Sequence, residues 1–205
     1  RQHIGKGIEV CYQPERMDFI LEFLAAHTFD VVLLSVHWAF GKPVHVREHF
    51  DATDPRAFMR RYLEAVRDAT AHVARMHADG GHPFHVLGHM DFAKRYAKRY
   101  WDFEGPIDAP DLIDEILTNC LAARLVPEIN TSTLRNNIAA PMPGLEVIER
   151  YAALGGTAMS LGSDAHSPQY VGSHFADAVE LMRRGGIKHL AVFREGVLEE
   201  LPLFE

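Results

Sequence analysis

The chain has 205 residues, 47% apolar and 24% charged, which suits one single-core domain of an ordinary folded protein. Twenty-one Lys and Arg against 28 Asp and Glu give a formal charge of −7, which argues against general nucleic-acid affinity while leaving room for a local basic pocket. Two cysteines exclude a disulfide framework and point to a reducing, cytoplasmic compartment. The longest apolar runs, such as "VVLLSV" at 31–36, fall far short of the ~20 residues of a membrane span, so no membrane partner is expected.

Short apolar runs alternate with longer amphipathic stretches. The runs are "GIEVCY" (7–12), "FDVVLLSV" (29–36), "PFHVLG" (83–88), "RLVPEI" (124–129), "TAMSLG" (157–162) and "IKHLAVF" (187–193). Helix-like segments lie between them at 15–26, 55–78, 109–122, 144–154 and 174–184. The segment 55–78 opens at "TDPR", with Asp54 as N-cap and Pro55 at the first helical position. Segment 109–122 places Leu112, Ile113, Ile116, Leu117 and Leu121 on one face. Segment 144–154 stops at Gly155-Gly156, a C-cap signal. The tail reads as a hairpin turning at Glu195-Gly196. Strand and helix in alternation, with near-continuous apolar strands, mean an α/β fold of parallel strands covered by helices. Six such strands suit a barrel better than a small open sheet.

Polar residues fall at one end of these runs. Glu9 sits in "GIEV", His37 ends "VVLLSVH", and "HVLGHMD" supplies His89 and Asp91. "LVPEIN" carries Glu128 and Asn130, and "SLGSDAH" carries Asp164 and His166. In an α/β barrel the C-terminal strand ends build the active site. Imidazole and carboxylate together suit zinc, iron or manganese. If the backbone is extended at 164–166, Asp164 and His166 point the same way as two ligands of one metal. Taken singly, each is more ordinary: a loop histidine, a helix cap, a solvated glutamate. Delivery of His or acid to one rim by five strands is the stronger signal. The basic stretch "AKRYAKRYWD" (93–102) reads first as a solvated helix face and second as a cluster that steers an anion, and the remaining histidines read as surface or packing residues.

In order along the chain, "GIEVCY", "FDVVLLSVHW", "HVLGHMDFAKRY", "EINTSTLR" and "SLGSDAHSPQYVG" resemble the motifs of the PHP (polymerase and histidinol phosphatase) family, in its monofunctional histidinol-phosphatase branch. The resemblance implies a distorted (βα)7 barrel and a cluster of up to three zinc, manganese or iron ions. It implies hydrolysis of a phosphate monoester, histidinol phosphate, in histidine biosynthesis. Carried over by motif, Glu9 resembles a bridging carboxylate, and His37, His89, Asp164 and His166 the other metal ligands. Arg135, in "STLR", resembles a phosphate contact, and Asp91 a residue behind the ligands or against the substrate.

The family pattern begins with a strand bearing His-x-His, whereas "GIEV" begins here at residue 7 and His3 stands alone before it. The expectation is therefore a single PHP-type barrel over 1–205 that lacks its first strand and helix. A chain of that kind would be poorly stable and largely inactive by itself, because unpaired strand edges and missing ligands weaken both barrel and metal sites. A nucleotide or oligonucleotide phosphoesterase of the same family is the alternative substrate reading. A non-catalytic metal-binding domain, or an amidohydrolase-like barrel, stands beside it. Metal identity and a homo-oligomeric state are left open.

Overall fold

The computed structural model describes residues 4–51, 54–105 and 108–203; His3 lies outside them. In chain order the elements are β1 (Gly7–Cys11), α1 (Met17–Ala25), β2 (Val31–Ser35), β3 (Trp38–Ala39), β4 (Lys42–Pro43), α2 (Pro55–Ala78), β5 (Val86–Leu87), α3 (Lys94–Trp101), α4 (Pro110–Ala123), β6 (Val126–Asn130), α5 (Leu145–Ala153), β7 (Ala158–Gly162), α6 (Phe175–Arg184), β8 (His189–Arg194) and β9 (Val197–Pro202). Seven strands form one sheet in the order β1-β2-β5-β6-β7-β8-β9. All pairings are parallel except the final β8–β9 hairpin, which turns at Glu195-Gly196. No hydrogen-bonded ladder joins β9 to β1 among the described residues.

The sheet nevertheless curls. Asp30, just before β2, accepts from the N–H of Glu195 through Oδ1 at 2.8 Å, and through its carbonyl from Gly196 N–H at 3.1 Å. The β8–β9 turn thereby reaches the start of a strand near the opposite edge. The result is a barrel-like α/β fold.

The helices form for local reasons that packing then completes. The Asp54 carboxylate accepts from Arg56 N–H and Ala57 N–H at 3.1 Å each, a cap worth about 1 kcal/mol. From there α2 buries Phe58, Met59, Tyr62, Leu63, Val66, Ala69, Thr70 and Val73 on one stripe. That stripe packs against α4, which buries Leu112, Ile113, Ile116, Leu117 and Cys120. Truncating a fully buried side chain such as Leu63 to alanine costs about 2–5 kcal/mol. The Tyr62 hydroxyl donates to the Val36 carbonyl at 3.0 Å, tying this layer to the loop that follows β2. Every residue of β6 is buried, as expected for a strand covered on both faces.

Two local features depart from the sequence expectations. A two-stranded hairpin, β3–β4, follows β2 and turns through Phe40 and Gly41, both with positive φ (59° and 75°). The stretch 94–101 is a helix, but it is not merely solvated: Lys94, Arg95 and Tyr96 are half-buried and Ala97 is buried. Its first turn leaves β5 at the C-terminal rim and faces inward.

Candidate metal centre

Three neighbouring strands bring Glu9, His37 and His89 together. Glu9 lies within β1, paired in register with Leu33 of β2; His37 stands two residues beyond β2 and His89 two beyond β5. Glu9 Oε1 lies 3.0 Å from His89 Nε2 and 3.4 Å from His37 Nε2, and the two Nε2 atoms are 3.3 Å apart. Ligands ~2.0–2.1 Å from one tetrahedral zinc are separated by about 3.3–3.4 Å, so this donor triangle fits one face of such a site. The donor set, two imidazoles and a carboxylate, suits a divalent metal.

The surroundings hold each donor. Ser35 Oγ donates to Glu9 Oε1 at 2.6 Å. The backbone N–H of His89 donates to the buried Glu128 Oε2 at 2.9 Å. The ring of Phe92 packs on both imidazoles, with centroids 4.7 Å from His37 and 4.8 Å from His89. His37 is a third exposed and His89 almost closed off.

Charge follows from this packing. Burial pushes the Glu9 carboxyl up, but hydrogen bonds from His89 and Ser35 and the charges of both imidazoles outweigh it and hold the carboxyl at about 2. Burial and the neighbouring His89 lower His37. Burial also works against a charged His89, but its hydrogen bond to Glu9 and the charges of Glu128, Glu9 and Asp164 outweigh it, so His89 is raised. The two imidazoles are thus pushed apart, His89 holding a proton more tightly than His37. Burial raises Glu128 and Asp91.

The other sequence-selected residues take different places. Asp164 stands close enough for its charge to raise both imidazoles, and its Oδ2 accepts from Arg95 Nη2 at 2.9 Å. The backbone is not extended there: Asp164 has φ 48°, a left-handed conformation that aspartate tolerates. That turn sends His166 outward. Its side chain is 86% exposed, with Nδ1 3.0 Å from the Asp164 carbonyl, so the structure does not bring it into the donor triangle. Asp91 is buried beside the triangle, with Lys94 Nζ 3.4 Å from its Oδ2. Arg135 braces the Asp164 turn: its Nη2 donates to the Asp164 carbonyl at 3.0 Å and its Nη1 to Ser173 Oγ at 3.0 Å. Its guanidinium also stacks on Tyr170.

No family model matches the chain. A Thermotoga maritima protein named "Probable histidinol-phosphatase" is 29% identical over 189 residues, covering 92% of this chain and 68% of its own. A Deinococcus radiodurans protein of the same name is 31% identical over 190 residues, covering 91% of this chain and 66% of its own. The chain belongs to the PHP-type histidinol-phosphatase family. It spans about two thirds of the length of these relatives. The crystal structure of histidinol phosphate phosphatase from Lactococcus lactis subsp. lactis Il1403, complexed with zinc, L-histidinol and phosphate, superposes with a TM-score of 0.72 at 22% identity. That match covers 94% of this chain and 70% of the other, and it shows a shared fold.

In this chain Arg95 lies beside the donor triangle, in the basic stretch that the sequence reads as a solvated helix face with anion steering as the lesser alternative. Its Nη2 donates to Ser132 Oγ at 2.6 Å as well as to Asp164, and its guanidinium lies 5.1 Å from the Phe92 ring centre. Its Nε is buried with no acceptor among the described residues. The signal was position: Arg95 falls six residues after His89, in the first turn of a helix that starts at the rim.

Proposed function

We propose that this protein hydrolyses the phosphate monoester of histidinol at a divalent-metal centre held by Glu9, His37 and His89, with Asp164 at its edge. The observation that carries the reading is the convergence of three donor atoms from β1, β2 and β5 at 3.0–3.4 Å. The histidinol-phosphatase relatives and the L. lactis complex support the substrate. Water adds to phosphorus, the P–O bond to the histidinol oxygen breaks, and that oxygen takes up a proton, leaving inorganic phosphate and the free alcohol. A divalent ion, when bound, acidifies water and offsets the charge on the phosphoryl oxygens.

The chain's own residues do the rest. Glu9, held at about 2, and His37, lowered by burial, give up their protons to a metal more readily than His89, which is raised. Arg95, held by Asp164 and Ser132, is the donor-rich guanidinium we assign to the phosphoryl group, and its Nε has no acceptor among the described residues. Arg135 is the second phosphate contact we assign, and it also holds the Asp164 turn. Phe92 closes one wall and keeps water from the back of the imidazoles. His166 and Asp91 complete the proposed set, His166 by swinging in from its exposed position and Asp91 from behind His89. The ions are zinc, manganese or iron, up to three in number.

The test is inorganic phosphate release from histidinol phosphate by the full-length protein, with and without added Zn²⁺ or Mn²⁺, beside a nucleoside monophosphate. Metal-dependent release from histidinol phosphate alone is the expected result. Preferential release from the nucleotide would keep the centre and replace the substrate. Metal uptake with no turnover of either would leave a binding domain.

A further inference from the structure

We propose that Ser35 is a positioning residue for the metal centre, locking the Glu9 carboxylate in its ligating orientation within a slot that exists because residue 88 has no side chain. The inference rests on the proposed metal centre, but it is read on metal affinity rather than on turnover.

Ser35 ends β2 directly opposite Cys11, and Glu9 lies two residues back on the same face of β1. The serine is fully buried, and its hydroxyl donates to Glu9 Oε1 at 2.6 Å. This is the same oxygen that faces both imidazoles. A carboxylate oxygen has two lone-pair directions, so a donor on one side leaves the other aimed at the histidines. Glu9 itself is 42% exposed and its side chain has several rotatable bonds. Ser35 is the hydroxyl donor that β2 itself supplies to this carboxylate.

The neighbouring strand makes room for this contact. A Cβ built on Gly88 would stand 2.6 Å from Ser35 Oγ, closer than real Cβ contacts allow. Its next neighbours are the Leu34 carbonyl and Glu128 Oε2, at 3.6 and 3.7 Å, so the serine hydroxyl is the group that would have to move. Gly88 immediately precedes His89, so one short segment supplies both a ligand and the space that orients another. Hydrogen-bonding partners of metal ligands are worth about 10–100-fold in metal affinity.

The bland alternative is a buried serine that merely satisfies its own hydroxyl. A double-mutant cycle separates the two. Zn²⁺ affinity of the full chain is measured by competition with a chromophoric chelator, with melting of the metal-free protein in parallel. Ser35→Ala should weaken zinc binding about 10–100-fold while the metal-free melting temperature changes by only a few degrees. Gly88→Ala, which keeps the hydroxyl but displaces it, should act in the same direction. In a Glu9→Ala background, Ser35→Ala should cost nothing further, because its effect passes through that carboxylate. An affinity within twofold of the parent for Ser35→Ala overturns the proposal, as does an equal loss in both backgrounds. If the parent binds zinc and shows this pattern yet releases no phosphate from histidinol phosphate, the activity falls and the positioning role stands. A parent that takes up no metal overturns the centre and this role together.

Discussion

Arg95 and Asp164, 69 residues apart in sequence, meet at 2.9 Å between Nη2 and Oδ2 beside the donor triangle. The pair joins the first turn of α3 to the loop after β7. Both groups are about a quarter exposed, so the contact is desolvated enough to hold direction without being sealed. A guanidinium fixed in this way meets an incoming phosphoryl group already oriented, which lowers the cost of binding it.

Arg95→Ala should therefore lower kcat/KM for histidinol phosphate about 100–1000-fold, the scale for losing a donor to developing charge. Arg95→Lys should recover only part, because lysine lacks the planar fork. Arg99, exposed on the same helix, is the control, and Arg99→Ala should stay within about twofold. Equal losses at both positions would mean that α3 acts through net charge.

Removing a ligand should be felt in metal uptake before it is felt in stability. His37→Ala and His89→Ala should each weaken Zn²⁺ binding by about 100-fold or more, measured by chelator competition. His166→Ala should have a smaller effect on the site formed by Glu9, His37 and His89, because its ring lies outside that triangle in this structure. A loss at His166 as large as that at His89 would show that the exposed imidazole swings in to bind.

The pH dependence has a definite sign. His89 is raised above its ordinary 6.5, so a proton competes with metal there at higher pH than at a free imidazole. Zinc affinity should increase as pH rises through the His89 titration and level off above it, with about one proton released per ion below that point. Calorimetric titrations in buffers of different ionisation heat check this. In the metal-free protein the raised pKa works the other way. Its contribution to stability is fully present below 6.5 and is lost as pH rises through the raised value. Glu9, held at about 2 against an ordinary 4.5, contributes stability that disappears only as pH falls from 4.5 toward 2.

Gly162 is a glycine because the Glu128 carboxylate occupies the space where its Cβ would stand. Gly162→Ala should push Glu128 off the His89 backbone N–H and cost about 1–3 kcal/mol, the usual range for overpacking. For a chain of this size that is a fall in Tm of about 2–10 °C, measured on the metal-free protein. An unchanged Tm would show that the β6–β7 contact is looser than drawn.

Much of this was legible in the sequence, for stated reasons. Helix α2 runs from Pro55 to Ala78 as its cap, its proline and its apolar period require. The six parallel strands announced themselves as apolar runs, with Glu9 as a carboxylate inside one run and His37 and His89 as polar residues just past two others. Such patterns are local, and local chemistry sets them. Other features were not visible. The Asp164 turn adopts positive φ with its own carbonyl held by Arg135, and this sends His166 outward, against the extended backbone that the Asp-x-His spacing invited. The inward face of α3 depends on where the rim lies, which no helical period encodes.

The sequence by itself determined the strand and helix order, the chemistry available at one end of the strands, and the family. Only the tertiary structure decided which of those groups meet. Glu9 and His89 are 80 residues apart, and their 3.0 Å contact exists because β1, β2 and β5 lie side by side in the sheet. Ser35 and Gly88 gain their roles in the same way: a hydroxyl becomes a positioning group only when the fold sets a carboxylate on one side of it and empty space on the other.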